Sequence, residues 1–248
     1  MDDERDRVVA RLVANLQQAG TFRQSHSGSA GEAAARTRLR EWQAERLART
    51  YNDLLKSERF GAAAAFFQSD LYGPKDFSAR DADIARLLPL MTKTLPLAGL
   101  ETVSSAMELD ALSERLDAQM TGELLQQGAL SIDGASYAAA YRKVGDRPGR
   151  ERQITLISEG GYALDRLTRR PLIRRILRLM REPARLGGLG AIQEFLERGF
   201  DAFHKMGSAE EFIETIRTRE TQLLEDLFAG RLPSALMQVT PAGRTAER

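Results

Sequence analysis

Apolar side chains recur every three or four positions along most of this chain, which is the spacing of amphipathic helices. Only the short run from Ile154 to Ile157 offers room for a strand, and it too reads as helix. Val8, Val9, Leu12, Val13 and Leu16 mark a first helix over 4–18. The serine- and glycine-rich stretch from Gly20 to Gly31 then predicts a flexible linker that leaves this helix loosely attached. Leu39, Trp42, Leu47, Tyr51, Leu54 and Leu55 share one face through residues 32–55. Ser57 is placed to cap a helix over 58–70 that ends at the Gly73-Pro74 turn. Ser78 is an N-cap for a helix whose Ile84, Leu87, Leu88, Met91 and Leu95 hold register across Pro89, where a kink is expected, until Pro96 stops it.

Six more helices follow from the same signals. They run over 98–127, closed by Gly128; from an Asp133 cap through Tyr141; over 150–168, interrupted at Gly160-Gly161; over 171–181, with Pro171 in first position; over 189–206, closed by Gly207; and from a Ser208/Glu211 capping box to Phe228. The expected fold is all-α, an irregular multi-helix bundle of about nine helices. It divides into an N-terminal helix and linker over 1–30, one helical domain over 31–230 and a disordered tail over 231–248.

Composition narrows the chemistry. The chain has no cysteine, which removes disulfides, thiolate metal sites and a cysteine nucleophile, and suits a reducing compartment. Its first residues, Met1 to Arg7, are acidic where a secretory signal is basic, and no apolar run approaches the length of a spanning helix, so a cytoplasmic location is expected. With 36 lysines and arginines against 35 acids over 248 residues, the molecule has no net field with which to steer a polyanion, and only local charge can inform.

One local pattern departs from that balance. Eight arginines (166, 169, 170, 174, 175, 178, 181 and 185) face a single acid, Glu182, within twenty residues, and Leu172, Ile173, Ile176, Leu177, Leu179 and Met180 lie between them. This is a basic amphipathic helix suited to a lipid headgroup, a nucleic-acid backbone or an acidic protein face, and arginine favours bidentate pairing with phosphate or carboxylate. The plainer reading is that these arginines neutralise the acidic helices at 101–117 and 210–226 of the same fold. Gly187 and Gly188, just before the next helix, would add free amides for an anion beside Arg169, Arg170, Arg174, Arg175, Arg178, Arg181 and Arg185, although glycines at a tight helix connection need no such role.

Other constellations are thinner. Asp201 and His204 stand three apart on one helix, but a carboxylate-bridged di-iron centre needs a second such motif, and the other histidine, His26, falls in the serine-rich stretch. No metal site, nucleophile elbow, Rossmann fingerprint or P-loop can be assembled, and the residues name no particular cofactor. Phe66, Phe67, Tyr72 and Phe77 gather with Asp70, Lys75 and Asp76 around the Gly73-Pro74 bend. There the aromatics lock a corner, or else Tyr72 and Asp76 join His204 in lining a pocket.

That bend also carries a resemblance. Phe66-Phe67, Leu71-Tyr72-Gly73 and Asp76-Phe77 form an FF-x(3)-LYG-x(2)-DF element, and Gly199 to Gly207 forms G-F-x-A-F-x(2)-M-G, leading into Glu211-Phe212-Ile213. The chain resembles a family of uncharacterised bacterial helical proteins over about residues 36–228. The resemblance implies a shared helical fold and carries no activity, cofactor or catalytic residue. The functional expectation is a non-enzymatic binding or adaptor protein that docks an anionic partner through its basic helix, peripheral to a membrane if that partner is lipid. The other expectations are a ligand- or cofactor-binding bundle with an internal pocket, possessing or lacking catalysis, and a homo-oligomer.

Overall fold

The computed structural model describes residues 2–25, 30–71, 78–128 and 131–237. The described residues form twelve α-helices: α1 (Asp2–Ser25), α2 (Ala30–Thr50), α3 (Asn52–Lys56), α4 (Gly61–Phe66), α5 (Ser78–Thr94), α6 (Leu97–Gln126), α7 (Gly134–Val144), α8 (Arg147–Thr168), α9 (Pro171–Leu186), α10 (Gly190–Met206), α11 (Glu210–Phe228) and α12 (Ser234–Met237). A π-helical turn, Phe67–Leu71, continues α4. No strand occurs among the described residues, and Ile154 to Ile157 lie inside α8. The fold is all-α, with twelve helices among the described residues against the about nine expected. Two of the additional helices arise where the 32–55 helix breaks at Tyr51 and where α12 forms beyond Gly230, in a stretch expected to be disordered; Leu236 there is fully buried.

α6, about 45 Å long at 1.5 Å per residue, is the axis on which α1, α2, α7 and α8 pack. α1 is no loose appendage: it runs to Ser25, through Gly20, and lies along α6 with Val8, Leu12 and Ala19 buried. Two cores divide most of the interior. In one, Trp42 stacks on Tyr137 at 4.2 Å, with Leu39, Met120, Leu124, Leu227 and Leu236 around them. In the other, Phe60, Phe66, Phe67, Phe203 and Phe212 interlock beside Met206 and Ile213. A third, smaller cluster of Leu12, Ile84 and Met107 ties α5 to α1 and α6.

Several boundaries follow their signals. Asp133 caps α7 in a reciprocal capping box with Ser136, and Gly145, at φ +67°, closes it in the left-handed region. Others do not. α8 runs unbroken through Gly160-Gly161, because Gly161 is a contact point rather than a break: a Cβ there would stand 2.9 Å from Ile213 Cγ1, so its absence lets α8 and α11 approach closely. α9 continues past Arg181, through Pro183, to Leu186. No capping box opens α11. The Ala209 amide donates instead to Asp165 Oδ1 of α8 at 3.1 Å, and Arg59 holds Glu211 at 2.8 Å.

Candidate anion-binding surface

Most of the acids expected to neutralise the basic helix are taken by other residues. On α6, Glu114 receives Arg23 at 3.1 Å, Arg40 at 2.7 Å and the buried Arg36, while Asp110 holds Arg23 and Glu108 holds Arg152. On α11, Glu214 pairs with Arg217, Glu220 with Arg46, Glu225 with Arg147 and Asp226 with Arg231. None of these partners belongs to α9.

Of the eight arginines, three have carboxylates. Arg169 is held by Asp165 at 2.8 Å, Arg181 by Glu197 at 2.6 Å and Arg185 by Glu182 at 3.4 Å. Hydrogen bonding to Arg181 is also what holds the Glu197 carboxyl below its usual range. The guanidinium groups of Arg166, Arg170, Arg174, Arg175 and Arg178 make no ion pair or hydrogen bond among the described residues.

α9 is peripheral. It rests mainly on α10, with its start against α8, and its inner side is thin: Ala184 is buried, Ile173 and Leu177 half-buried. Leu172, Ile176, Leu179 and Leu186 recur at helical spacing on the outer side, 64, 44, 76 and 88% exposed. Single exposed leucines are ordinary, whereas a continuous stripe of them on one helix marks an interaction surface. The first turn of α9 contains no acid, and its N-cap is Arg170, which gives the positive end of the helix no side-chain acceptor.

Between α9 and α10 lies an open groove of about 700 Å³. Arg174, Arg175 and Arg178 form one wall; Phe200 and His204 form the other. The His204 ring lies over Phe200 at 5.7 Å between centroids, and its Nδ1 is 3.3 Å from the Thr168 carbonyl oxygen. No carboxylate lines this groove.

Gly187 and Gly188 are not part of it. They close α9 at its far end: Gly188, at φ +69°, donates to the Arg185 carbonyl and Leu189 to that of Ala184, the paired bonds of a Schellman turn, while Gly187 donates to Pro183. Nor is the start of α10 open to an outside anion. Asp83 of α5, itself buried, sits there with Oδ2 3.4 Å from the Ile192 amide, and Arg86 bridges Asp83 Oδ1 and the Gly188 carbonyl. Tyr72 and Asp76 lie outside the described residues. His204 is therefore placed with the arginines, on an open groove, where it was expected in a pocket within the bundle. Among the described residues no three His, Cys, Asp or Glu side chains stand together as metal ligands, and no helix is long and apolar enough to cross a membrane.

The fold defines a class first: an all-helical protein whose described residues include an arginine-rich helix, α9, with exposed apolar side chains. By sequence, the chain belongs to the family described as a domain of unknown function, DUF8198, whose model matches residues 22–233. No curated protein and no solved structure matches it.

Proposed function

We propose that this protein is a non-enzymatic binding protein that docks on an anionic phospholipid surface through α9. The observation that carries the reading is the pairing, on one helix, of a solvent-exposed apolar stripe with arginines that no carboxylate among the described residues neutralises. Such a helix lies in the membrane interface, its apolar side among the upper acyl chains and its guanidinium groups at headgroup phosphates. A nucleic-acid backbone would satisfy Arg174, Arg175 and Arg178 but leave Leu172 and Leu179 in water, which favours lipid. On this reading the protein is cytoplasmic and peripheral to its membrane.

Flotation of the full chain with phosphatidylcholine vesicles, with and without phosphatidylglycerol, at low and high salt, tests the reading. Binding is expected to the anionic vesicles alone and to weaken as salt rises. Changing Arg174, Arg175 and Arg178 together to alanine should lower affinity by on the order of 100-fold, at about 1 kcal/mol per arginine near an anionic surface. Equal binding to neutral vesicles, indifference to salt, or capture of duplex DNA without vesicles would overturn it. A stable dimer by light scattering whose formation buries the Leu172–Leu179 stripe would do the same.

A further inference from the structure

The apolar stripe and the groove are separate features of α9. At 100° per residue, Leu172, Ile176, Leu179 and Leu186 lie to one side of the helix, whereas Arg174, Arg178 and Arg175 follow one another around the adjoining flank toward α10. Flat docking of the stripe explains exposed leucines. It does not explain why three unneutralised arginines share a walled groove with an aromatic pair on a different helix.

We infer that this groove is a receptor for a phosphomonoester group. Three guanidinium groups on one wall offer several forked N–H pairs, more than a singly charged phosphodiester needs and well matched to a dianion with three free oxygens. Two nearby acids are hydrogen-bonded elsewhere, Asp165 to Arg169 and the Ala209 amide and Glu197 to Arg181 and Gln193, and Asp201, next to Phe200, is not among the lining residues. The opposite wall carries a stacked ring pair. Phe200 is buried in the fold, and His204 is laid against it and fixed through Nδ1 to Thr168, so the body attached to the phosphate packs on an organised surface. Because the groove opens on the flank of α9 beside the stripe, the phosphomonoester can come from a lipid headgroup in the bound membrane or from a free phosphorylated small molecule. The inference shares its arginines with the docking reading but does not require a membrane.

The experiment has two arms on the full chain. In the first, vesicles containing phosphatidic acid, a phosphomonoester, are compared with phosphatidylglycerol vesicles matched in surface potential. In the second, glycerol 3-phosphate is titrated in free solution while backbone amides are followed by NMR. Glycerol 3-phosphate is expected to move the amides of Thr168, His204, Gly207 and Ser208, with saturation. His204→Ala, at an exposed side chain, should weaken that binding several-fold while leaving phosphatidylglycerol binding unchanged, and Arg175→Ala should weaken it roughly tenfold, the effect of one lost charge-assisted hydrogen-bond pair. A preference for phosphatidic acid together with these shifts assigns the group to a lipid. The same shifts without that preference assign it to a soluble ligand. If glycerol 3-phosphate moves none of these amides and the two anionic lipids bind alike, the groove assignment is overturned, and docking through α9 still stands. If phosphatidylglycerol vesicles fail to bind while glycerol 3-phosphate does, docking fails and the groove assignment stands.

Discussion

Arg36 on α2 and Arg174 on α9 are the same residue type on amphipathic helices of one molecule, and the fold treats them in opposite ways. Arg36 is 7% exposed, its pKa lowered chiefly by burial; Glu114 opposes that shift and Arg40 adds to it, and the guanidinium also donates to the Phe22 carbonyl at 2.8 Å. Glu114, itself buried, gathers Arg23, Arg36 and Arg40 from two helices onto α6. Arg174 has solvent and a groove. The difference teaches that a near-zero net charge conceals an uneven one: Arg23, Arg36, Arg40 and Arg46 find carboxylates within the bundle, where an unpaired charge is costly, and the buried Arg150 lies over the Tyr141 ring at 4.5 Å, while α9 keeps several exposed guanidinium groups without a carboxylate among the described residues.

The strongest test of this contrast removes the internal counter-charge. Glu114→Ala would leave three converging guanidinium groups, one of them buried, with Asp110 and Asp117 alone nearby, and should destabilise the fold by about 3–5 kcal/mol in denaturant titration. Glu220→Ala isolates Arg46 in the same way. Burial is the largest single effect and works to lower that group's pKa, but Glu220, accepting at 2.5 Å, together with Tyr137 and Tyr51 reverses it and the pKa is raised; the same carboxylate also accepts from Tyr51 at 2.7 Å. If either variant unfolds within 1 kcal/mol of the parent, a magnitude expected of exposed pairs, the distinction between interior and surface arginines collapses.

A second test contrasts packing at the two helices. Gly161→Ala places a Cβ against Ile213 where α8 meets α11 and should cost about 1–3 kcal/mol as the helices are forced apart. On α9, Leu172→Ser with Leu179→Ser and the alanine changes at Arg174, Arg175 and Arg178 remove groups with no partner in the described fold. Each set should alter stability by less than about 0.5 kcal/mol per site while losing vesicle binding. A large loss of stability from the α9 changes would mean that the stripe serves the fold itself.

How much of this was legible in the sequence depends on where each partner lies. Asp133, Gly145 and Gly207 act within their own turns, so their patterns predict helix ends correctly. Gly161 and Gly20 look the same in sequence, but neither interrupts its helix, and at Gly161 the reason is contact with Ile213, fifty-two residues away. Ser208 and Glu211 have capping-box spacing, yet Asp165 of α8 reaches the α11 amide in their place, and Asp83 of α5 does the same for α10. The basic helix and its apolar residues could be read directly from spacing. Which arginines find carboxylates could not, because pairing is decided by the tertiary neighbours of α6 and α11; nor could the groove, since nothing local joins Arg174 on α9 to His204 on α10.

The smallest expected effect concerns an arginine intermediate between the two extremes. Arg219 of α11 grips Asp53 of α3 through two bonds, Nη1 to Oδ1 at 2.8 Å and Nη2 to Oδ2 at 2.6 Å, on the surface yet in the forked geometry that makes such pairs count. Hydrogen bonding to Arg219 pulls the Asp53 carboxyl down from 3.8 to about 2, against an opposing effect of burial. A carboxyl depressed in the folded state stabilises above its unfolded pKa, and that contribution is lost as pH falls from about 4 through 2. Because Asp53 is more than half exposed and the pair is screened, the contribution should not exceed about 1 kcal/mol and should shrink in high salt. NMR titration of the Asp53 carboxyl, with Asp53→Asn as control, measures it. A midpoint near 4 would place Arg219 with the unmatched arginines of α9, while a midpoint near 2 that the asparagine variant abolishes places it with those that hold the bundle together.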